Sequence, residues 1–136
     1  MRRAVTRTYV DAGVLIAGSR ASGAAGGNAF EVLSDPDREF VGSVFLRLEV
    51  LPKAAFHRNS KEVAFYEEFF SRVVAWASPM TAVIERAEWE AARYGLNALD
   101  ALHVAAAVLL GADELVTTEA PRKPIHRTAS IRVVGI

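Results

Sequence analysis

Asp11 and Glu119 each close a short run of β-forming residues, Thr8-Tyr9-Val10 and Leu115-Val116-Thr117. Asp100 falls in the first turn of the most apolar helical segment, and Glu49 about two turns into another predicted helix. In open α/β sheets, ligands bind beyond the carboxyl ends of the strands, near the point where strand order reverses, so these four acids can converge there. Carboxylate oxygens suit hard cations, Mg²⁺ or Mn²⁺. Two such ions about 4 Å apart activate water and stabilise the leaving oxygen in phosphodiester cleavage. Competing ligand chemistries are thin. The absence of cysteine excludes disulfides, thiolate zinc sites and cysteine nucleophiles, and three scattered histidines, His57, His103 and His126, do not make a tetrahedral zinc shell.

Each acid also has an ordinary explanation. Asp before Ala12-Gly13 is common turn chemistry. Glu49 stands four residues before Lys53, the spacing of a helical ion pair. Asp100 complements a cap begun by Asn97 and the dipole of the helix it opens, and Glu119 can be a surface residue after a strand. His103 follows Asp100 by three residues and reads first as a hydrogen-bonded histidine beside the core. Only the constellation of four lifts the acids above these separate readings.

The elements needed to position them alternate along the chain. A strand at Thr8–Val10 is followed by helix from about Val14. The Gly-, Ala- and Ser-rich stretch 19–27 reads as a flexible connection, Asn28–Leu33 as a short helix, and Ser34-Asp35-Pro36-Asp37 as its stop. A strand over Phe40–Gly42 leads to a helix capped by Ser43, with Val44, Phe45, Leu48 and Leu51 as its apolar stripe and Pro52 as a kink or restart. Asn59 with Glu62 forms a capping-box start for a helix through Phe65, Phe69 and Val73 as far as Trp76, closed by Ser78-Pro79. Thr81 caps the next helix, with a stripe of Val83, Ile84, Ala87 and Ala91, an outward face of Glu85, Arg86, Glu88 and Arg93, and Gly95 as a left-handed C-cap. Asn97 opens the buried central helix, Ala98 to Leu110, stopped by Gly111. Strands over Glu114–Thr118 and Ile131–Val134 complete an α/β pattern with a mostly parallel sheet flanked by helices, a single domain over residues 1–136.

The composition supports a packed core: 51% of the 136 residues are hydrophobic and 9% aromatic. Sixteen basic and sixteen acidic residues cancel, so any attraction for phosphate must be local. One local excess follows Glu119, where Arg122, Lys123, Arg127 and Arg132 meet no acid; a second, with Arg47, Lys53, Arg58 and Lys61, flanks Glu49. Both are candidate contacts for nucleic-acid phosphates, though basic side chains are also common on plain surfaces. The aromatics Phe65, Tyr66, Phe69 and Phe70 share one helix and suit core packing or a dimer face, with base stacking as the less ordinary use. Arg2 and Arg3 before an apolar stretch have the look of a secretory leader, but Asp11 interrupts it. No run reaches the roughly 18 apolar residues of a membrane span. A cytoplasmic protein is the expectation.

These residues lie in segments that resemble the PIN-domain family, in particular the VapC-type toxin ribonucleases of toxin–antitoxin pairs. TYVDAGVLIAGS is similar to the family's opening strand with its first acid, SVFLRLEVLPKA to its glutamate-bearing helix, and LNALDALHVAAAVLLGADELVTTE to its carboxy-terminal signature. The resemblance runs from about residue 7 to 134, with Glu119 standing where the family has an aspartate. It implies a PIN-like three-layer α/β/α sandwich in which Asp11, Glu49 and Asp100 ligate Mg²⁺ or Mn²⁺, with Thr117 and Glu119 in the outer part of the site. One extra methylene lets Glu119 reach a metal directly or through water, and equally lets it turn away. The resemblance further implies an endoribonuclease leaving 5′-phosphate and 3′-hydroxyl ends, a homodimer, and a small antitoxin partner. Two other readings stand beside it. The Glu119 departure and the proline-containing tail fit a catalytically weak or inactive PIN-like module that binds RNA or a protein. A receiver or phosphatase also places Asp at a strand end, but such phosphatases carry a paired Asp-x-Asp, and Asp11-Ala12-Gly13 does not.

Overall fold

The computed structural model describes residues 4–136, so Arg2 and Arg3 lie outside the described residues. Five strands form one sheet: β1 (Thr6–Val10), β2 (Arg38–Gly42), β3 (Ala75–Trp76), β4 (Glu114–Thr117) and β5 (Arg132–Gly135). Their order is β3-β2-β1-β4-β5, and every pairing is parallel. The helices between them are α1 (Ala12–Arg20), α2 (Gly23–Leu33), α3 (Val44–Phe56), α4 (Ser60–Ser71), α5 (Met80–Tyr94) and α6 (Ala98–Leu109), with a 3-10 turn at Pro124–Arg127.

Right-handed crossovers are the rule for parallel strands. From β1 the chain steps outward to β2 and β3, which puts α1–α4 on one face. It then returns to the other side of β1, which puts α5, α6 and the 3-10 turn on the opposite face, in keeping with the helix contacts. The result is a three-layer α/β/α sandwich. The direction of winding reverses between β1 and β4, the position where such sheets open a crevice. Burial on both faces explains why β1 and β4 read as apolar runs: Tyr9, Val10, Leu115 and Val116 are fully enclosed. Two polar residues in these strands meet partners, since Glu114 accepts from Thr8 at 2.7 Å and from Arg38 at 2.8 Å.

Several sequence expectations are corrected. The stretch 19–27 is mostly helical: Ser19 and Arg20 end α1, and residues from Gly23 onward begin α2. Ala21 (φ 49°) and Gly23 (φ 71°) turn the chain back. A Cβ at Gly26 would come within 2.9 Å of the Ala21 backbone, so the small residues serve close packing of α2 on α1. The α3 stripe is displaced: Leu46, Val50 and Ala54 are buried, whereas Val44 and Leu48 (71% exposed) face outward. Pro52 sits inside α3 without restarting it, because packing of that buried face holds the turn where a backbone donor is missing. Helix α4 stops at Ser71, and Trp76 belongs to the unpredicted edge strand β3. Its aromatics Tyr66, Phe69 and Phe70 are buried in the core, which withdraws them from base stacking. Helix α5 begins at Met80, so Thr81 lies in its first turn rather than at its cap, and Ile84 is exposed.

The proline-containing tail is anchored. Glu90 on α5 is fully buried and accepts from Thr128 (2.9 Å), Ser130 (2.7 Å) and Arg86, whose guanidinium lies 2.8 Å away, while Ile125 enters the core. Arg86 therefore turns inward to pair with Glu90 instead of lying with the solvated face.

Candidate functional site

Asp11 leaves β1 in extended conformation and becomes the N-cap of α1, accepting from the Val14 N–H at 3.2 Å. That cap explains why the helix begins at Ala12 rather than near Val14. The other Asp11 oxygen accepts from the Thr117 hydroxyl. Thr117 in turn accepts from the Glu119 N–H at 3.0 Å, so one buried hydroxyl ties the acid after β1 to the backbone after β4. Gly13 permits this approach: a Cβ there would stand 2.2 Å from the Thr118 hydroxyl oxygen. On the far side His126 Nε2 lies 2.9 Å from the Glu119 carbonyl.

Asp100 sits in the first turn of α6, where Asn97 caps its N–H at 2.9 Å and the Asn97 amide reaches its carboxylate at 3.3 Å. One turn further, His103 is nearly buried. Its Nδ1 lies 2.6 Å from the Tyr9 hydroxyl, and its Nε2 bonds the Glu49 carboxylate. The Tyr9 hydroxyl also pairs with Ser43 at 2.7 Å, which explains why Ser43 stands at the N-cap of α3 without a capping side-chain bond. His103 thus lies beside the acids as well as in the core, and ties α6 through Glu49 to α3.

Asp11, Glu49, Asp100, His103 and Glu119 line one small pocket of about 90 Å³, closed by Ala12, Gly13 and Leu99. Four carboxylates come from four elements to the crevice between the ends of β1 and β4, and no lysine or arginine lines it among the described residues. Burial raises the Asp11 carboxyl above the ordinary aspartate range; the Thr117 and Val14 hydrogen bonds and His103 pull it down, and Glu119 pushes it up. Burial likewise raises Asp100, His103 opposes that, and Glu119 and Glu49 add to it. Such crowding of negative charge in a cleft is what a cation relieves.

The donor set fits a hard divalent ion in kind, since it is carboxylate oxygen throughout with one imidazole beside it. Its placement is looser. Among the described residues, no three acid or histidine side chains stand as a group that could hold a metal ion. Asp11 is engaged by Thr117, Glu49 by His103 and Asp100 by Asn97, while the Glu119 side chain has no hydrogen-bond partner among the described residues.

The basic candidates separate. Arg122 and Lys123 are exposed, three and four residues past Glu119. Arg127 reaches the Tyr94 carbonyl at the end of α5 at 3.4 Å, a favourable place for a cation. Arg47 pairs with Glu67 at 3.1 Å and lies over the Phe70 ring. Lys53 does not pair with Glu49 and lines a neighbouring cleft that Glu49 also borders. The bridging role of Thr117 and the tie from His103 to Glu49 depend on contacts across the sheet and between helices, which spacing along the chain does not reveal.

No family model and no curated protein sequence matches the chain. Solved structures do match. A chain of VapBC2 from Rickettsia felis bound to a DNA fragment from their promoter superposes with a TM-score of 0.71 at 15% identity, over 96% of this chain and 99% of that one. A toxin–antitoxin complex from Klebsiella pneumoniae gives 0.71 at 20% identity, over 93% and 95%. DNA-bound VapBC from Salmonella typhimurium gives 0.68 at 19% identity, over 96% and 98%. At such identities the likeness is one of fold, and the fold is the PIN-like sandwich of the VapC-type toxins.

Proposed function

We propose that this chain is a divalent-metal-dependent endoribonuclease, the toxin of a toxin–antitoxin pair. The observation that carries this reading is the meeting of Asp11, Glu49, Asp100 and Glu119 in one pocket at the reversal of strand order, with no lysine or arginine among the described residues that line it. In it, Asp11, Glu49 and Asp100 hold Mg²⁺ or Mn²⁺, with Glu119 as an outer ligand. A bound ion of this kind supplies Lewis-acid activation of water and charge stabilisation at phosphorus. The chain's own part is positional: Thr117 orients Asp11, His103 orients Glu49, and Asn97 orients Asp100. Arg122 and Lys123 are the outer RNA contacts in this reading. Arg127 and Arg47, each with a protein partner already, contribute less.

A second reading is favoured by one specific observation, the looseness of the acid cluster as posed. On that placement alone the better-supported reading is a catalytically weak or inactive PIN-like module that binds RNA or a protein; donor chemistry and the position of the pocket support the nuclease. In either case a protein partner, an antitoxin or a second copy, has an apolar surface to meet. Val44, Leu48 and Ile84 are exposed beside a groove lined by Phe45, Ala87, Ala91 and Leu102.

The test is cleavage of a panel of single-stranded RNAs with Mg²⁺ or Mn²⁺, with and without a chelator, by the wild type, Asp11→Asn and Asp100→Asn. Cleavage leaving 5′-phosphate ends and lost in both variants supports the nuclease. Cleavage unchanged in both variants rules out the assigned acids, and RNA binding without cleavage by the wild type decides for the second reading. Glu119→Ala separates an outer ligand, rescued by higher metal concentration, from a bystander with full activity.

A further inference from the structure

A second cleft, of about 250 Å³, adjoins the acid pocket and shares Glu49 with it. Glu49 and Lys53 on α3 and His57 at its C-cap follow one another at four-residue spacing, about 6 Å of helix rise per step. Arg20, at the end of α1, lines the cleft with them, and Val50 and Ala54 give it an apolar floor. Tyr66 closes its inner end, its hydroxyl engaged by Glu62.

The cations of this cleft differ from the arginines that the fold holds in ion pairs. Arg7, Arg38, Arg47, Arg72 and Arg86 are each held in an ion pair. Arg20 and Lys53 have no ion-pair or hydrogen-bond partner for their side chains among the described residues, and both are exposed. The two carboxylates of the cleft are already engaged, Glu49 by His103 and Glu62 by Tyr66 and Asn59, so the two unpaired cations over an apolar floor suit a phosphate bearing a flat apolar group.

We propose that this cleft seats the nucleotide next to the cleaved bond of a single-stranded RNA, with Arg20 and Lys53 on its phosphate, His57 at the outer end and the base against Val50 and Ala54. The proposal rests on the nuclease reading and gives it a direction: the strand leaves the acid pocket along α3, past Glu49 toward His57. A phosphate in the acid pocket then has its neighbour within reach of the two cations, and specificity for the adjoining base resides in α3 and α4 rather than in the tail.

The experiment uses the full chain carrying Asp100→Asn to suppress cleavage, with a fluorescently labelled single-stranded RNA, and reads anisotropy at several salt concentrations. Adding Arg20→Ala with Lys53→Ala weakens binding by about tenfold or more and flattens the salt dependence of log affinity by about 0.7, the share of one neutralised phosphate on a single strand. Arg93→Ala, on α5, changes neither. Both cleft side chains are exposed, so unfolding midpoints should match those of the parent. In the cleaving protein the same pair raises KM while leaving kcat nearly unaltered, as loss of binding alone requires. If the parent binds RNA and the double variant binds it with equal affinity and slope, the cleft proposal is overturned while the nuclease reading stands. If the parent binds no RNA, both fall. If the double variant loses affinity for polyglutamate but not for RNA, the cleft serves an acidic protein segment, and the proposal is overturned in that direction.

Discussion

Thr117→Val is the most informative single change in the scaffold of the site. The exchange keeps shape and burial but removes the hydroxyl that donates to Asp11 and accepts from the Glu119 N–H. A hydrogen bond to a charged acceptor contributes about 1.5–3 kcal/mol, and the orphaned N–H of Glu119, an exposed residue, adds less. The expected loss at neutral pH is therefore about 2–3 kcal/mol. Thr117→Ser keeps the hydroxyl and loses one buried methyl, so its cost is about 1 kcal/mol. The difference must depend on pH. The folded-state pKa of Asp11 is raised above the ordinary 3.8, so ionising Asp11 lowers stability as pH climbs from that value through the folded one. Thr117 limits this loss by pulling the folded pKa down. Without it the folded pKa climbs further, so the cost of Thr117→Val is smallest below about pH 3.8 and full only above the variant's folded pKa. Urea unfolding followed by circular dichroism across this range measures it. Equal costs for Val and Ser, or a Val cost independent of pH, would refute the reasoning.

Three further expectations follow from particular contacts. Asp100→Asn should raise thermal stability at neutral pH, because burial, Glu119 and Glu49 all oppose the charge it removes; a lower midpoint in calorimetry would contradict this. Gly13→Ala should destabilise through its clash with the Thr118 hydroxyl, yet raise stability in a Thr118→Ala background, where the helix gains up to about 1 kcal/mol from alanine; the same sign in both backgrounds, read by urea titration, would show that the contact is irrelevant. Glu90→Ala should cost about 3–5 kcal/mol by stranding Arg86 and releasing Thr128 and Ser130, and should expose the tail to trypsin at Arg122 and Arg127, whereas Glu90→Gln should cost less. Undiminished resistance to trypsin in Glu90→Ala would argue that the tail is held elsewhere.

The parts of this molecule readable from its residues are those governed by local chemistry. A β-forming run ending on Asp11, the Asn97 cap, the apolar run of α6 and the Gly95 stop each carry their signal within a few residues, and the places of Asp11, Asp100 and Glu119 follow from them. What escaped depends on partners distant in sequence. The Gly- and Ala-rich start of α2 reads as slack because composition does not report that its small residues let the helix lie on Ala21. On α3, Val44 and Leu48 are as apolar as Leu46 and Val50, and only the sheet decides which pair is enclosed. Edge strand β3 has two residues, too few for any period. Glu90 follows the solvated acids Glu85 and Glu88 on one helix, and its burial is intelligible only once Thr128 and Ser130 have folded back over it.

The central claim is that the acid pocket takes a divalent ion, and Mn²⁺ binding tests it without depending on any choice of RNA. Electron paramagnetic resonance of free Mn²⁺, titrated with protein, should show saturable uptake by the wild type, uptake lost in Asp11→Asn and in Asp100→Asn, and uptake preserved in Glu85→Gln on the solvated face of α5. Absence of saturable uptake by the wild type, or uptake unaltered by both pocket substitutions, would contradict the account.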